Sequence, residues 1–217
     1  MNTSTPGFLD AVCVVHTIVP LGRRGVVDSA IDKRPVDGPV EVGELGLVGD
    51  HSSDAKFHGG VDQAVYAYDE AEAARWAIDL GREVPAGWFG ENLRTTGVAV
   101  TDAVVGSRWR VGTALLEVTI PRRPCRTFAK WVDEDKWVKR FAERGDVGAY
   151  LRVVEPGVLA RGDRIVVEDV PNHGATVRDL FHGHNHEGLE QLLSTPNLPK
   201  KVVRDCTSAL GVAPKVG

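Results

Sequence analysis

The chain has 217 residues, 42% of them hydrophobic and 26% charged, with a formal net charge of −4, which is ordinary for a soluble globular protein with one core and an appendage. An acidic balance gives no footing for a nucleic-acid partner, whose phosphates favour a basic protein. Three widely spaced cysteines, Cys13, Cys125 and Cys206, with no CxxC pair, argue against a zinc ribbon or a thioredoxin-like site and fit a reduced, cytoplasmic setting. The start of the chain lacks the basic and apolar regions of a signal peptide, and the uncharged stretch Ala11 to Gly22 is too short to span a bilayer, so no membrane association is expected.

β-Branched residues cluster over 8–20 and predict a first strand, with short strands following at 25–31 and 40–42. Apolar alternation from Val61 to Tyr68 leads into an amphipathic helix over 69–80, with Asp69 as N-cap and Glu70 and Glu72 in its first turn. A loop rich in Gly and Pro then carries Phe89 to Leu93. Further strands are expected at 108–111, 114–120, 150–154 and 164–167, and a second helix over 133–144 with Trp137, Val138 and Phe141 on one face. From about Gly174 leucine and valine spacing turns helical, with Pro196 and Pro199 marking a break. This pattern describes a mainly β core with two or three helices, followed by a small all-α C-terminal unit too short to fold alone.

Cys125 ends the segment Pro121-Arg122-Arg123-Pro124-Cys125, directly after the apolar run 114–120. The prolines suit a chain leaving a strand, and two guanidinium groups nearby favour a thiolate, the form that serves as nucleophile or soft metal ligand. An inert, half-buried cysteine is the competing reading. In His58-Gly59-Gly60-Val61-Asp62 a glycine pair lets backbone approach a ligand and offers unhindered N–H groups, with His58 able to donate or accept; a tight turn explains the same residues. Glu91 and Asn92 could supply an acceptor and an amide donor from one loop, although a glycine-bracketed loop plugged by an aromatic ring reads as well. Lys33, just past a predicted strand, is either solvated or a partner for an oxo-anion. Gly43 to Gly49 has the wrong spacing for a phosphate loop and reads as turns, and His182-Gly183-His184-Asn185-His186 reads as an exposed connection rather than a metal site.

Taken in order, Ser29 to Lys33, Gly49-Asp50, His58 to Asp62, Phe89 to Leu93, Pro121 to Cys125, Gly148-Ala149-Tyr150 and Gly162-Asp163 resemble the MOSC domain family, named for the C-terminal domain of molybdenum-cofactor sulfurase. The C-terminal stretch resembles the three-helix unit of its stand-alone bacterial branch linked to resistance against 6-N-hydroxylaminopurine. The resemblance implies a mostly antiparallel β-barrel-like domain over 1–172 and a three-helix subdomain over 173–217. It also implies a molybdenum cofactor (molybdopterin) whose metal is ligated by Cys125. Cys125, His58, Glu91 and Asn92 then become candidate catalytic residues around one cleft, and Lys33, Gly59, Gly60, Arg122 and Cys125 candidate cofactor contacts.

The leading expectation is an oxidoreductase that reduces N-hydroxylated compounds, such as hydroxylaminopurines, to amines. It would need a separate electron-donor protein, because no flavin, haem or iron–sulfur motif is visible. A non-redox carrier of sulfur or of the cofactor on Cys125 is the rival. A Cys-His hydrolase pairing Cys125 with His58, oriented by Asp62, ranks last, since nothing fixes an oxyanion hole.

Overall fold

The computed structural model describes residues 6–21, 28–51 and 59–212. Its strands are β1 (Gly7–Pro20), β2 (Asp28–Pro35), β3 (Val40–Gly43), β4 (Gly46–Leu47), β5 (Val65–Asp69), β6 (Leu93–Thr96), β7 (Arg108–Val111), β8 (Ala114–Pro121), β9 (Ala149–Glu155), β10 (Gly157–Leu159) and β11 (Arg164–Asp169). The helices are α1 (Glu70–Leu80), α2 (Arg126–Val132), α3 (Trp137–Arg144), α4 (Val177–His182), α5 (His186–Leu193) and α6 (Lys200–Leu210). A 3-10 turn, Val61–Gln63, precedes β5.

Seven strands run β11-β7-β8-β9-β5-β6-β1, and β1 closes the barrel by pairing again with β11 through Gly7↔Ile165 and Phe8↔Arg164. Closure leaves the ring without edges. Among the described residues the pairing is antiparallel except between β5 and β6. The far half of β1 leaves the ring through register shifts and pairs with β2, placing Lys33 opposite Val15. Strands β10, β3 and β4 form a separate small sheet. Every residue of β8 is buried, because the barrel interior takes one face while α4, α6 and β10 pack on this strand from outside.

The apolar runs produced strands where expected, and Asp69 caps α1 by accepting from the Ala71 N–H at 2.7 Å. Several elements differ. Residues 93–96 form a strand although they read Leu-Arg-Thr-Thr, because the Arg94 side chain is buried and hydrogen-bonded throughout. Helix α2 was not expected, and its N-cap is the sulfur of Cys125, which accepts from the Phe128 N–H at 3.5 Å. The helix expected from residue 133 starts at Trp137, after Asp133 and Lys136 take left-handed conformations; Trp137 and Phe141 are buried, but Val138 faces out. Strand β10 was missed, being three residues long. Residues 25–27 of the expected second strand lie outside the described residues.

Three helices follow residue 173. Thr176 and Asp179 form a reciprocal capping box at α4. Leu180, Leu189, Leu192, Val202 and Cys206 belong to the same hydrophobic cluster as the barrel interior. No helix among the described residues is long and apolar enough to cross a membrane.

One buried polar cluster ties α1 to α4. Glu72 accepts from Thr101 Oγ1 at 2.8 Å, with Arg178 at 3.7 Å, and Asp146 is bound by both Arg75 and Arg178. Burial, helped by Asp146 and Asp69, pushes the Glu72 carboxyl from 4.5 to about 8. Between those pH values the folded chain holds a proton that the unfolded chain has released, so this stabilisation is complete below 4.5 and is lost as pH rises through about 8. The unfolding free energy from urea titration should therefore fall from pH 5 to pH 8, by on the order of 4 kcal/mol for this group. Glu72→Gln should flatten that slope; an unchanged slope would place the titration elsewhere.

Candidate functional site

A cavity of about 530 Å3 opens beside the barrel where β2, the 3-10 turn, β9 and the chain after β8 converge. Lys33, Gly59, Gly60, Asn92, Arg122 and Cys125 all line it, joined by Asp50, Tyr66 and Tyr150. Its size suits a small-molecule ligand.

Strand β8 ends at Pro121, still paired with Ala149, and Cys125 caps α2 from an extended conformation (φ −133°, ψ 173°). The sulfur thus sits at the cavity wall between the first turn of α2 and Arg122. None of the three cysteines forms a disulfide. Arg122 is 7% exposed, and its guanidinium lies 4.3 Å from the Phe128 ring and 5.5 Å from the Tyr66 ring. Burial works against its charge, but Tyr150, Tyr66 and Cys125 outweigh that and raise its pKa. Burial likewise raises the Tyr150 phenol, with Arg122 opposing, so the hydroxyl keeps its proton. Arg122 Nε is buried without a hydrogen-bond partner among the described residues. An orphan donor of this kind is expensive unless a ligand engages it.

Across the cavity the Lys33 ammonium binds the Asp50 carboxylate. Burial pulls the Lys33 pKa below its ordinary value, and Asp50 pulls it back up. Asp50 is held in turn by the Val15 N–H at 2.9 Å and by Asn92 Nδ2 at 2.7 Å. Asn92 also accepts from the Tyr66 N–H at 3.0 Å and donates to the Cys13 carbonyl at 3.2 Å, bridging β1 and β5 with its side chain as its backbone does. Its edge is therefore occupied by the protein's own groups.

Glu91 stands apart from the other expected reacting groups. It does not line the cavity, it is fully buried, and its oxygens are spent inside its own loop. Oε1 accepts from the Gly87 N–H at 2.7 Å and Oε2 from the Phe89 N–H at 2.9 Å. Arg94 closes the arrangement with bonds of 2.9 and 2.5 Å from Nε and Nη2 to Oε1, and reaches Glu70 with Nη1 and the Pro85 carbonyl with Nη2. The loop so folded presses Gly87 (φ 90°) on β2: a Cβ there would lie 2.1 Å from the Lys33 carbonyl. Glu91 and Arg94 thus place Lys33 without touching the cavity. Gly60 (φ 89°) starts the 3-10 turn, and His58 lies outside the described residues.

Sequence reasoning missed Asp50, Tyr66, Tyr150 and Arg94 as site-forming residues. Asp50 and Tyr150 were visible inside matched motifs, yet only tertiary contacts show what they hold. Among the described residues no three His, Cys, Asp or Glu side chains are grouped to hold a bare metal ion. His182 and His184 stack at 5.3 Å, and His186 meets the Gly183 carbonyl at 3.0 Å.

The fold and the cavity define a closed β-barrel protein with a thiol at the wall of a cation-lined cleft. The chain belongs to the MOSC domain family, whose MOSC domain model matches residues 54–166, and it falls with the stand-alone bacterial branch represented by the YiiM proteins. Protein YiiM of Escherichia coli is 36% identical over 183 residues, covering 81% of this chain and 82% of that protein. A protein of Gibberella moniliformis named reductase is 33% identical over 188 residues, 84% of this chain but 32% of the fungal protein. The crystal structure of YiiM from Geobacillus stearothermophilus has a TM-score of 0.75 at 27% identity, covering 94% of this chain and 100% of that one. MOSC domains are associated with molybdenum cofactor binding.

Removing one partner of a fully buried ion pair leaves the other charge unsatisfied. Glu91→Ala should therefore destabilise the fold by about 3–5 kcal/mol, measured by urea unfolding. A loss of activity at unchanged stability would instead return Glu91 to the reacting groups.

Proposed function

We propose that this protein is a molybdenum-cofactor-dependent oxidoreductase that reduces N-hydroxylated compounds, such as hydroxylaminopurines, to amines, with the metal ligated by Cys125. The observation that carries the reading is the convergence of Cys125, Arg122 and Lys33 on the lining of one cavity. Membership of the MOSC family and the similarity to a protein named reductase support it.

The donor set fits such a cofactor. A thiolate is a soft ligand suited to molybdenum, and one protein sulfur suffices where the cofactor brings its own ligands, so no cluster of ligating side chains is required. Arg122 and the Lys33 ammonium suit the cofactor's phosphate and other anionic oxygens. The bound cofactor supplies the two-electron chemistry that N–O cleavage requires.

The chain's own residues orient and exclude. Tyr66 and Tyr150 close one wall with aromatic surface against which a flat heterocycle can lie. Lys33 Nζ holds a proton at the cavity surface, kept in place by Asp50, which is itself fixed from Val15 and Asn92. Reducing R–NHOH to R–NH2 and water consumes two electrons and two protons, and a separate electron-donor protein must deliver the electrons.

Cys125→Ser separates cofactor ligation from folding. Serine is itself a favoured N-cap, so α2 should stay formed and the urea midpoint should move by less than about 1 kcal/mol. Bound molybdenum in protein from a molybdenum-competent host should fall about tenfold or more, together with reduction of an aryl hydroxylamine by a dithionite-driven dye. Full metal content and turnover in the variant would contradict the assignment. Stoichiometric molybdenum without turnover in the wild type would favour a carrier.

A further inference from the structure

Helix α6 reaches the cavity wall. Its second residue, Lys201, donates from the backbone N–H to Asp62 Oδ2 at 3.0 Å, and from Nζ to the Gly59 carbonyl at 2.6 Å and to Gln63 Oε1. Gly59, Gly60 and Gln63 line the cavity, whereas Lys201 does not. Asp62 is itself tied down, since its carbonyl accepts from Thr119 Oγ1 of β8 at 2.7 Å. A second tie runs to the segment that carries Cys125: Asp205 of α6, almost fully buried, accepts from Arg123, two residues before Cys125. One face of one C-terminal helix therefore holds both the Gly59–Gln63 segment and the segment before Cys125.

We infer that Lys201 is a positioning residue that clamps the Gly59–Gln63 wall, so that the C-terminal helices set the shape of the ligand cavity instead of forming a separable appendage. Its link to cofactor retention rests on the proposed function; the clamp itself does not. Gly60 has a left-handed φ of 89° and no side chain, and the turn it starts has no side-chain cap. A segment of this kind is cheap to deform unless something outside it fixes its carbonyls. Lys201 fixes two acceptors with one ammonium, and burial has drawn that amine's pKa below its ordinary value.

The full-length chain tests this with two variants. Lys201→Met keeps the apolar stem and the backbone bond to Asp62 but deletes both Nζ contacts, whereas Lys201→Arg can still donate to both acceptors. Amide hydrogen exchange at residues 59–63 should speed up about tenfold in Lys201→Met, the scale of one lost charge-assisted bond, with β9 exchanging as in the wild type. Lys201→Arg should restore most of the protection. Bound molybdenum per chain should fall in Lys201→Met and recover in Lys201→Arg. Unchanged exchange at 59–63 would overturn the clamp, as would acceleration spread evenly over the barrel. Faster exchange with full molybdenum content would overturn its link to the cavity. A wild type that carries no molybdenum would sink the proposed function, and the clamp would then stand or fall on the exchange rates alone.

Discussion

The buried pair between Glu91 and Arg94 is the constraint on which the site depends. Both side chains are essentially inaccessible to water, and the 2.5 Å contact is one of several bonds that the two groups make. Burying two charges is costly, and the cost is met only when every remaining donor and acceptor finds a partner. Here Glu91 takes two loop amides and the guanidinium, and Arg94 adds Glu70 and backbone carbonyls. The consequence is geometric: the loop from Gly87 is pinned against β2 at Lys33, and Asn92, next in sequence to Glu91, is delivered to the seam between β1 and β5.

Two buried arginines make the contrast between scaffold and site explicit. Arg94 is saturated by the protein and carries structure. Arg122 is as deeply placed, flanked by aromatic faces, and keeps a buried Nε without a partner among the described residues. Beside it lies a sulfur fixed as a helix cap, and across the cavity an ammonium paired with an anchored carboxylate. Soft donor, buried guanidinium and pre-positioned ammonium form an environment organised before any ligand arrives.

Much of the barrel was legible because β-branched runs such as 8–20 and 114–120 bury apolar side chains in a pleated wall, and periodicity reports that directly. Strand β6 was not legible: Leu-Arg-Thr-Thr reads as polar until Glu91 and Glu70 are seen to neutralise Arg94 inside the core. Helix α2 escaped notice because a cysteine is an unusual N-cap and its proline-rich approach reads as loop. Of the expected site residues, Lys33, Gly59, Gly60, Asn92, Arg122 and Cys125 come together, while Glu91, expected as an acceptor for a ligand, accepts from its own loop. Motif order brought out the segments, but it could not show which side chain in each faces the cavity. The reach of Lys201 across 142 residues to the Gly59 carbonyl has no local signal at all.

Cofactor ligation by Cys125 is the claim from which the functional reading follows, and molybdenum K-edge X-ray absorption tests it most directly. Protein from a molybdenum-competent host should show a thiolate sulfur in the metal's coordination sphere beyond those of the cofactor itself, and Cys125→Ser should lose that sulfur from whatever metal it retains. Identical spectra for wild type and variant, with molybdenum bound in both, would contradict the account.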